Sequence, residues 1–171
     1  AYDEDGNLIA ETDALGHTTA YHYDSNGKLE AVIAPDGLVT EYDYHKGFVR
    51  KITQGDAIWY YQRNEAGDIE EQTTPDGVTT RYRYSSTGQL LAVIYADGSQ
   101  HHLVYNRFGQ LIEEKDPQGG TQKYRYDALG RMVLSQNVKG AMTRYVYDAL
   151  DRVTDVQLPT GGQRRYSYNT Y

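Results

Sequence analysis

The chain has 171 residues, enough for one domain, with a formal net charge of −7 and no cysteine. Negative charge leaves no electrostatic case for nucleic acid, which needs clustered Lys and Arg, and the missing cysteine excludes disulfides, thiolate zinc sites and cysteine nucleophiles. No apolar run approaches the ~20 residues of a membrane helix, and nothing at the start has the form of a signal peptide.

The hydrophobic share is 39%, and 18 of those residues are tyrosines. Tyrosine buries a large ring while keeping a hydroxyl for a polar partner, so the expected core is aromatic and amphipathic.

The predicted elements recur from end to end. Gly6, Gly27, Gly47, Gly67, Gly88, Gly109 and Gly130 stand 21 residues apart, except for two steps of 20 around Gly47, and Asp151 takes the next glycine position. A fixed period near twenty residues marks a repeat architecture. After each anchor comes a strand-like run such as Lys28–Ile33, Gln89–Ile94 or Gln110–Glu114. Its second residue is apolar in every copy: Leu8, Leu29, Val49, Ile69, Leu90, Leu111, Met132 and Val153. That marks a packed face.

A turn follows, as at Pro35-Asp36-Gly37 and Pro75-Asp76-Gly77, combining a fixed φ, a self-bonding Asp and a permissive Gly. The second run ends on paired tyrosines: Tyr21 and Tyr23, Tyr42 and Tyr44, Tyr82 and Tyr84, Tyr124 and Tyr126, Tyr145 and Tyr147, Tyr166 and Tyr168. Residues two apart on a strand share a face, so each pair predicts one aromatic face. The rings are expected to stack on their equivalents in neighbouring repeats as a ladder. Thr19, Thr40, Thr80 and Thr143 precede the pairs and support strand.

The second turn places Asp first and Gly fourth, the type I preference, through Asp24, Gly27, Gly67, Gly88, Gly109, Asp127, Gly130 and Asp148. Asp151 is an exception that Asp tolerates. The copy from Tyr42 to Trp59 is short in both turns.

The prediction is all-β: tandem hairpins of about 21 residues, roughly sixteen strands, in one open, curved antiparallel sheet. Residues 1–171 read as a single array of about eight repeats, cut mid-repeat at both ends and so expected to be a fragment of a longer one.

The unit Tyr124-Arg-Tyr126-Asp127-Ala-Leu-Gly130-Arg131 resembles the YD, or Rhs, repeat, as do Tyr145–Arg152 and Tyr21–Lys28. The resemblance covers essentially the whole chain. Departures are Arg63 and Leu103 at tyrosine positions, Ser85 at the Asp position and the shortened copy. It implies a β-strand spiral curving into a hollow shell. In bacterial Rhs proteins and toxin-complex C components such a shell encloses a C-terminal toxin domain; in teneurins similar repeats belong to an adhesion receptor. The implied partners are the rest of the parent shell and its toxin cargo, with a secretion spike or chaperone besides. The implied setting is an exported or cell-surface bacterial protein delivered by a secretion system such as type VI. Neither nucleic acid nor membrane insertion enters.

Other chemistry reads as ordinary structure. Bacterial members carry a self-cleaving aspartyl-protease segment, but Asp116-Pro117-Gln118-Gly119-Gly120 sits in register with the other turns and reads as one of them. Asp3-Glu4-Asp5-Gly6-Asn7 looks like a scrap of a calcium loop without the helical setting that an EF-hand needs. The five histidines, 17, 22, 45, 101 and 102, keep no common register. The reading is non-enzymatic, with no cofactor or metal site. The alternative is an adhesive or carbohydrate-binding aromatic surface, which needs exposed rings.

Overall fold

The computed structural model describes residues 1–169; Thr170 and Tyr171, in the last half-repeat, lie outside them. Contacts divide the chain into two compact units, Ala1–Tyr82 and Arg83–Tyr171. The first holds β1 (Ala10–Thr12), β2 (Thr18–Tyr23), β3 (Leu29–Ile33), β4 (Val39–His45), β5 (Phe48–Gln54), β6 (Ala57–Arg63), β7 (Ile69–Thr73) and most of β8 (Thr79–Tyr84). The second holds β9 (Leu90–Ile94), β10 (Gln100–Tyr105), β11 (Leu111–Lys115), β12 (Thr121–Tyr126), β13 (Met132–Gln136), β14 (Met142–Tyr147), β15 (Val153–Gln157) and β16 (Gln163–Arg165). In each unit consecutive strands pair antiparallel, and no described residue is helical. The all-β class and the tandem hairpins expected from the sequence are the architecture observed.

The turns close in a common way. At Asp127 the backbone N–H donates to Arg131 O at 2.9 Å, and Gly130 N–H donates to Asp127 O at 3.0 Å. Gly130 has φ 82°, so the loop is a type I turn followed by a left-handed residue, a common three-residue hairpin connection. Asp151 adopts the same region at φ 61°. The shortened copy differs. His45 pairs with Phe48 across a two-residue loop in which Lys46 and Gly47 have φ 49° and 85°, a type I′ pattern. Gln54 pairs with Ala57 across a second two-residue loop. Each loop is one residue shorter than its counterparts, which accounts for the two steps of 20.

A β-bulge recurs at the second tyrosine position. Arg125 pairs with Leu134 and Tyr126 with Met132, which leaves Val133 without a partner. The same slip lies at His22/Tyr23, Asp43/Tyr44, Gln62/Arg63, Val104/Tyr105 and Val146/Tyr147. A bulge bends its strand and interrupts the ladder locally.

Within each unit the strands form one layer. Among the described residues only Ala92, at 5% exposure, counts as buried. The chain exposes 12012 Å², against about 8,500 Å² expected for a globular chain of this mass. Cohesion must therefore come from each strand's contacts with its neighbours, as in other repeat proteins.

Candidate functional site

With no enclosed core, the arrangement that organises the molecule is a periodic set of side-chain contacts between repeats. It starts from strand alternation. In β12, Tyr124 and Tyr126 are half-buried, while Lys123 and Arg125 beside them are exposed. β4 and β14 show the same alternation. The pairs Tyr42 and Tyr44, Tyr124 and Tyr126, and Tyr145 and Tyr147 therefore each lie on one face, whereas Tyr166 and Tyr168 lie beyond β16 and are exposed.

The second tyrosine of the pair carries a bond that the sequence did not announce. Its hydroxyl donates to the backbone carbonyl of the apolar residue one repeat earlier. Tyr23 reaches Leu8 at 2.8 Å, Tyr44 reaches Leu29 at 2.7 Å and Tyr105 reaches Leu90 at 2.8 Å. Tyr126 reaches Leu111 at 2.8 Å, Tyr147 reaches Met132 at 2.6 Å and Tyr168 reaches Val153 at 2.7 Å. The extent of the ladder to the next strand shows why the carbonyl needs this donor. The β13–β14 ladder runs only from Leu134–Arg144 to Gln136–Met142, so Met132 lies beyond it. A buried carbonyl without a partner costs about 1–3 kcal/mol, and the tyrosine hydroxyl supplies the partner. Burial pushes the Tyr44 and Tyr147 hydroxyls above their usual range, which keeps the donor proton in place.

Where the residue after the anchor is a cation, it closes the contact from the turn side. Lys28 Nζ lies 5.3 Å from the Tyr44 ring centre and donates to Gly47 O at 2.8 Å. Arg131 lies 4.8 Å from the Tyr147 ring and donates to Asp127 Oδ2 and Asp151 Oδ1, both at 2.8 Å. Arg152 repeats the ring contact on Tyr168 at 4.5 Å. A cation over an aromatic face contributes about 0.5–1 kcal/mol where exposed. Arg131 also holds Asp151, which keeps that exception within the repeat's turn geometry.

The turn aspartates act on the backbone. Asp127 Oδ1 accepts from the N–H of Leu129 at 2.9 Å and of Arg131 at 3.0 Å. Asp148 does the same for Leu150 and Arg152 at 2.8 and 3.0 Å, and Asp24 for Asn26 and Lys28 at 2.8 and 2.9 Å. The amide of Arg131, followed by its guanidinium, holds the Asp127 carboxyl below its ordinary range, and Arg152 does so for Asp148. Asn64, Ser85 and Asn106 fill the same role before Gly67, Gly88 and Gly109. Asp116 Oδ1 accepts from Gln118 and Gly120 at 3.0 and 2.8 Å, and Asp3 Oδ1 from Asp5 and Asn7 at 3.0 and 2.8 Å. Both stretches are turns of the common kind.

The departure at Arg63 is joined to a second change, at Phe48. Arg63 stands at a second-tyrosine position, and its Nε donates to Val49 O at 3.2 Å in place of the missing hydroxyl. Its guanidinium lies 5.6 Å from the Phe48 ring. Phe48 follows Gly47 and so occupies the position held by Lys28 and Arg131 elsewhere. Ring and cation have exchanged places. Gly67 makes room for the exchange, since a Cβ there would collide with the Phe48 ring.

The histidines remain scattered. His17 Nδ1 lies 3.0 Å from Asp13. His101 Nε2 lies 2.8 Å from Glu114 Oε1, close enough to pair when charged but without hydrogen-bond alignment. Among the described residues no group of three or more His, Cys, Asp or Glu could hold a metal ion. No helix of the described residues is long and apolar enough to cross a membrane.

Comparison with known proteins follows the same lines. The model of a family described as RHS Repeat matches residues 2–39, 63–100 and 105–142, together more than half of the chain. No curated protein sequence matches. The crystal structure of TcdB2-TccC3 without its hypervariable C-terminal region is similar over 98% of this chain and 10% of its own, with 17% identity and a TM-score of 0.79. TcdB2-TccC3-Cdc42 is similar over 96% of this chain and 12% of its own, with 14% identity and a TM-score of 0.60. TcdB2-TccC3 is similar over the same shares, with 15% identity and a TM-score of 0.59. These likenesses concern the fold, and the chain spans about a tenth of the length of those proteins.

Proposed function

Because the chain belongs to the Rhs repeat family, we propose that it is a stretch of wall in a larger β-shell that holds a toxin domain apart from its surroundings. The chain itself is a structural repeat segment. The containment role rests on the way it is built: a single hydrogen-bonded layer in each unit, pinned repeat to repeat, with Ala92 the one buried residue among those described. Such a layer gains little as a free-standing domain and much as part of a barrier. The similar TcdB2-TccC3 protein is described as having a hypervariable C-terminal region, which is what a cargo position requires. In this reading the partners are the rest of the parent shell, a C-terminal toxin and a secretion spike or chaperone, and the parent is an exported bacterial protein.

The adhesive or carbohydrate-binding reading needs rows of free rings. Here Tyr23, Tyr44, Tyr105, Tyr126 and Tyr147 spend their hydroxyls on carbonyls, and Lys28 and Arg131 cover two of the ring faces. That engagement favours the wall.

The test uses the complete gene product. Limited proteolysis is expected to spare its C-terminal domain while the repeats are intact, and to digest it once Tyr126 and Tyr147 are both replaced by alanine. A C-terminal domain cut equally fast in both proteins, or a gene product with no such domain, would overturn containment.

A further inference from the structure

The face opposite the tyrosines carries both matched and unmatched charges. In Ala1–Tyr82 two arginines are matched. Arg50 Nε lies 2.8 Å from Asp43 Oδ2, and Arg81 Nε lies 2.8 Å from Glu71 Oε2. In Arg83–Tyr171 the corresponding face carries Arg125 and Arg144. Both are exposed, and neither has an ion-pair or hydrogen-bond partner among the described residues. The register sets them around one residue. Arg125 pairs with Leu134, and Leu134 pairs with Arg144, so the arginines stand two strands apart, about 10 Å at the backbone.

Between them runs a shallow depression of about 440 Å³ whose lining includes Ile112, Leu134 and Met142 together with both arginines; Glu113, also in the lining, is offset by Lys123 at 3.8 Å. A second depression of about 360 Å³ continues past Val133 and Val146. Met142 and Val146 are 43% and 46% exposed, far more than an apolar side chain needs to be beside a free slot. The position after each apolar residue varies as well: Glu30, Arg50 and Glu70 in the first unit correspond to Ile112 and Val133 in the second, although Ile9 in the first and Thr154 in the second do not follow that division. A repeat protein encodes its fold periodically, so surface chemistry that breaks the period answers to something outside the fold.

We propose that this patch of Arg83–Tyr171 binds an acidic, extended segment of a partner protein, one with two carboxylates flanking an apolar side chain. The charge argument is direct. The chain has a net charge of −7, yet two guanidiniums are left unpaired over an apolar strip, and guanidinium pairs with carboxylate by bidentate, charge-assisted hydrogen bonds. The spacing agrees, because carboxylates four residues apart on an extended chain share a face about 13 Å apart, within reach of two long guanidinium side chains, and the apolar side chain midway between them comes to rest over Leu134. A phosphate backbone fits less well, since the apolar strip has nothing to meet in it. The proposal concerns the face away from the tyrosines and does not depend on containment.

The test uses the whole chain and a short, blocked, fluorescently labelled peptide in which two glutamates flank a threonine-valine-threonine segment, so that both carboxylates and the valine share one face. Binding is read by anisotropy at low ionic strength. The peptide is expected to bind, its glutamine counterpart to bind about tenfold more weakly, and the Arg125→Ala, Arg144→Ala protein to lose about tenfold in affinity or more. Arg81→Ala, which removes an already matched arginine, is expected to leave binding unchanged. Thermal unfolding of the double variant should match the parent, because both side chains are exposed and unpaired. Equal binding of the two peptides, or binding indifferent to both arginines, would overturn the proposal. So would arginine-dependent binding of a single-stranded oligonucleotide or of anionic lipid vesicles without binding of the peptide.

Discussion

Tyr147→Ala lowers the stability of the Arg83–Tyr171 unit by about 3 kcal/mol, whereas Tyr147→Phe lowers it by about 1–2 kcal/mol. The split follows from what each variant removes. Phenylalanine keeps the half-buried ring and its contact with Arg131 but leaves Met132 O without the hydroxyl now 2.6 Å away. Alanine removes all three. Denaturant unfolding followed by circular dichroism measures both losses, and amide exchange on β13 and β14 locates them. A Tyr147→Phe protein as stable as the parent would show that water satisfies the carbonyl equally well, and the pinning role would fall. Because unfolding of a repeat array need not be two-state, the locating experiment carries as much weight as the energy.

The second large effect is a rescue. Phe48→Arg places a cation beside Arg63, and Arg63→Tyr removes the cation that now lies 5.6 Å from the Phe48 ring and reaches Val49 O and Gly67 O. Each single change is expected to destabilise Ala1–Tyr82 by about 1–2 kcal/mol. Together they recreate the arrangement seen at Arg131 and Tyr147, and the double variant should come within about 0.5 kcal/mol of the parent. A double-mutant cycle measures that coupling. Simple addition of the two losses would mean that the exchange of ring and cation is a coincidence of two unrelated departures.

What the sequence shows and what it hides divide along physical lines. Side-chain period and turn chemistry are local, so the hairpins, the shared face of Tyr124 and Tyr126, and the type I geometry from Asp127 to Gly130 are visible in the residues alone. The bulge is not local. It depends on which residue of β13 faces Tyr126, and no composition signal marks Val133 as the unpaired one. The hydroxyl bond depends in turn on where the ladder to the next strand stops, so an expectation built on ring-against-ring contact passed over the donor. Its trace is nevertheless in the sequence, because the apolar position and the second tyrosine recur together at a fixed separation of 15 residues, as from Leu111 to Tyr126. Where that pairing lapses at Arg63, the residue after Gly47 changes with it. Two departures in one copy, read jointly, point to a contact between them; read singly, they look like decay.

Charge told less. The net value gives no hint that Arg50 and Arg81 are matched while Arg125 and Arg144 are not, since matching depends on cross-strand neighbours. Only the register separates a solvated mixed face from a patch left open.

The claim that matters most is that this molecule is held together repeat by repeat, without a central core. Residue-resolved amide exchange on the intact chain tests it most directly. The account predicts protection that recurs strand after strand through both units, with the turn amides of Lys28, Arg131 and Arg152, each bonded to an aspartate, protected to a similar degree. One contiguous protected block around Ala92, with the remaining strands exchanging as an open chain does, would contradict it.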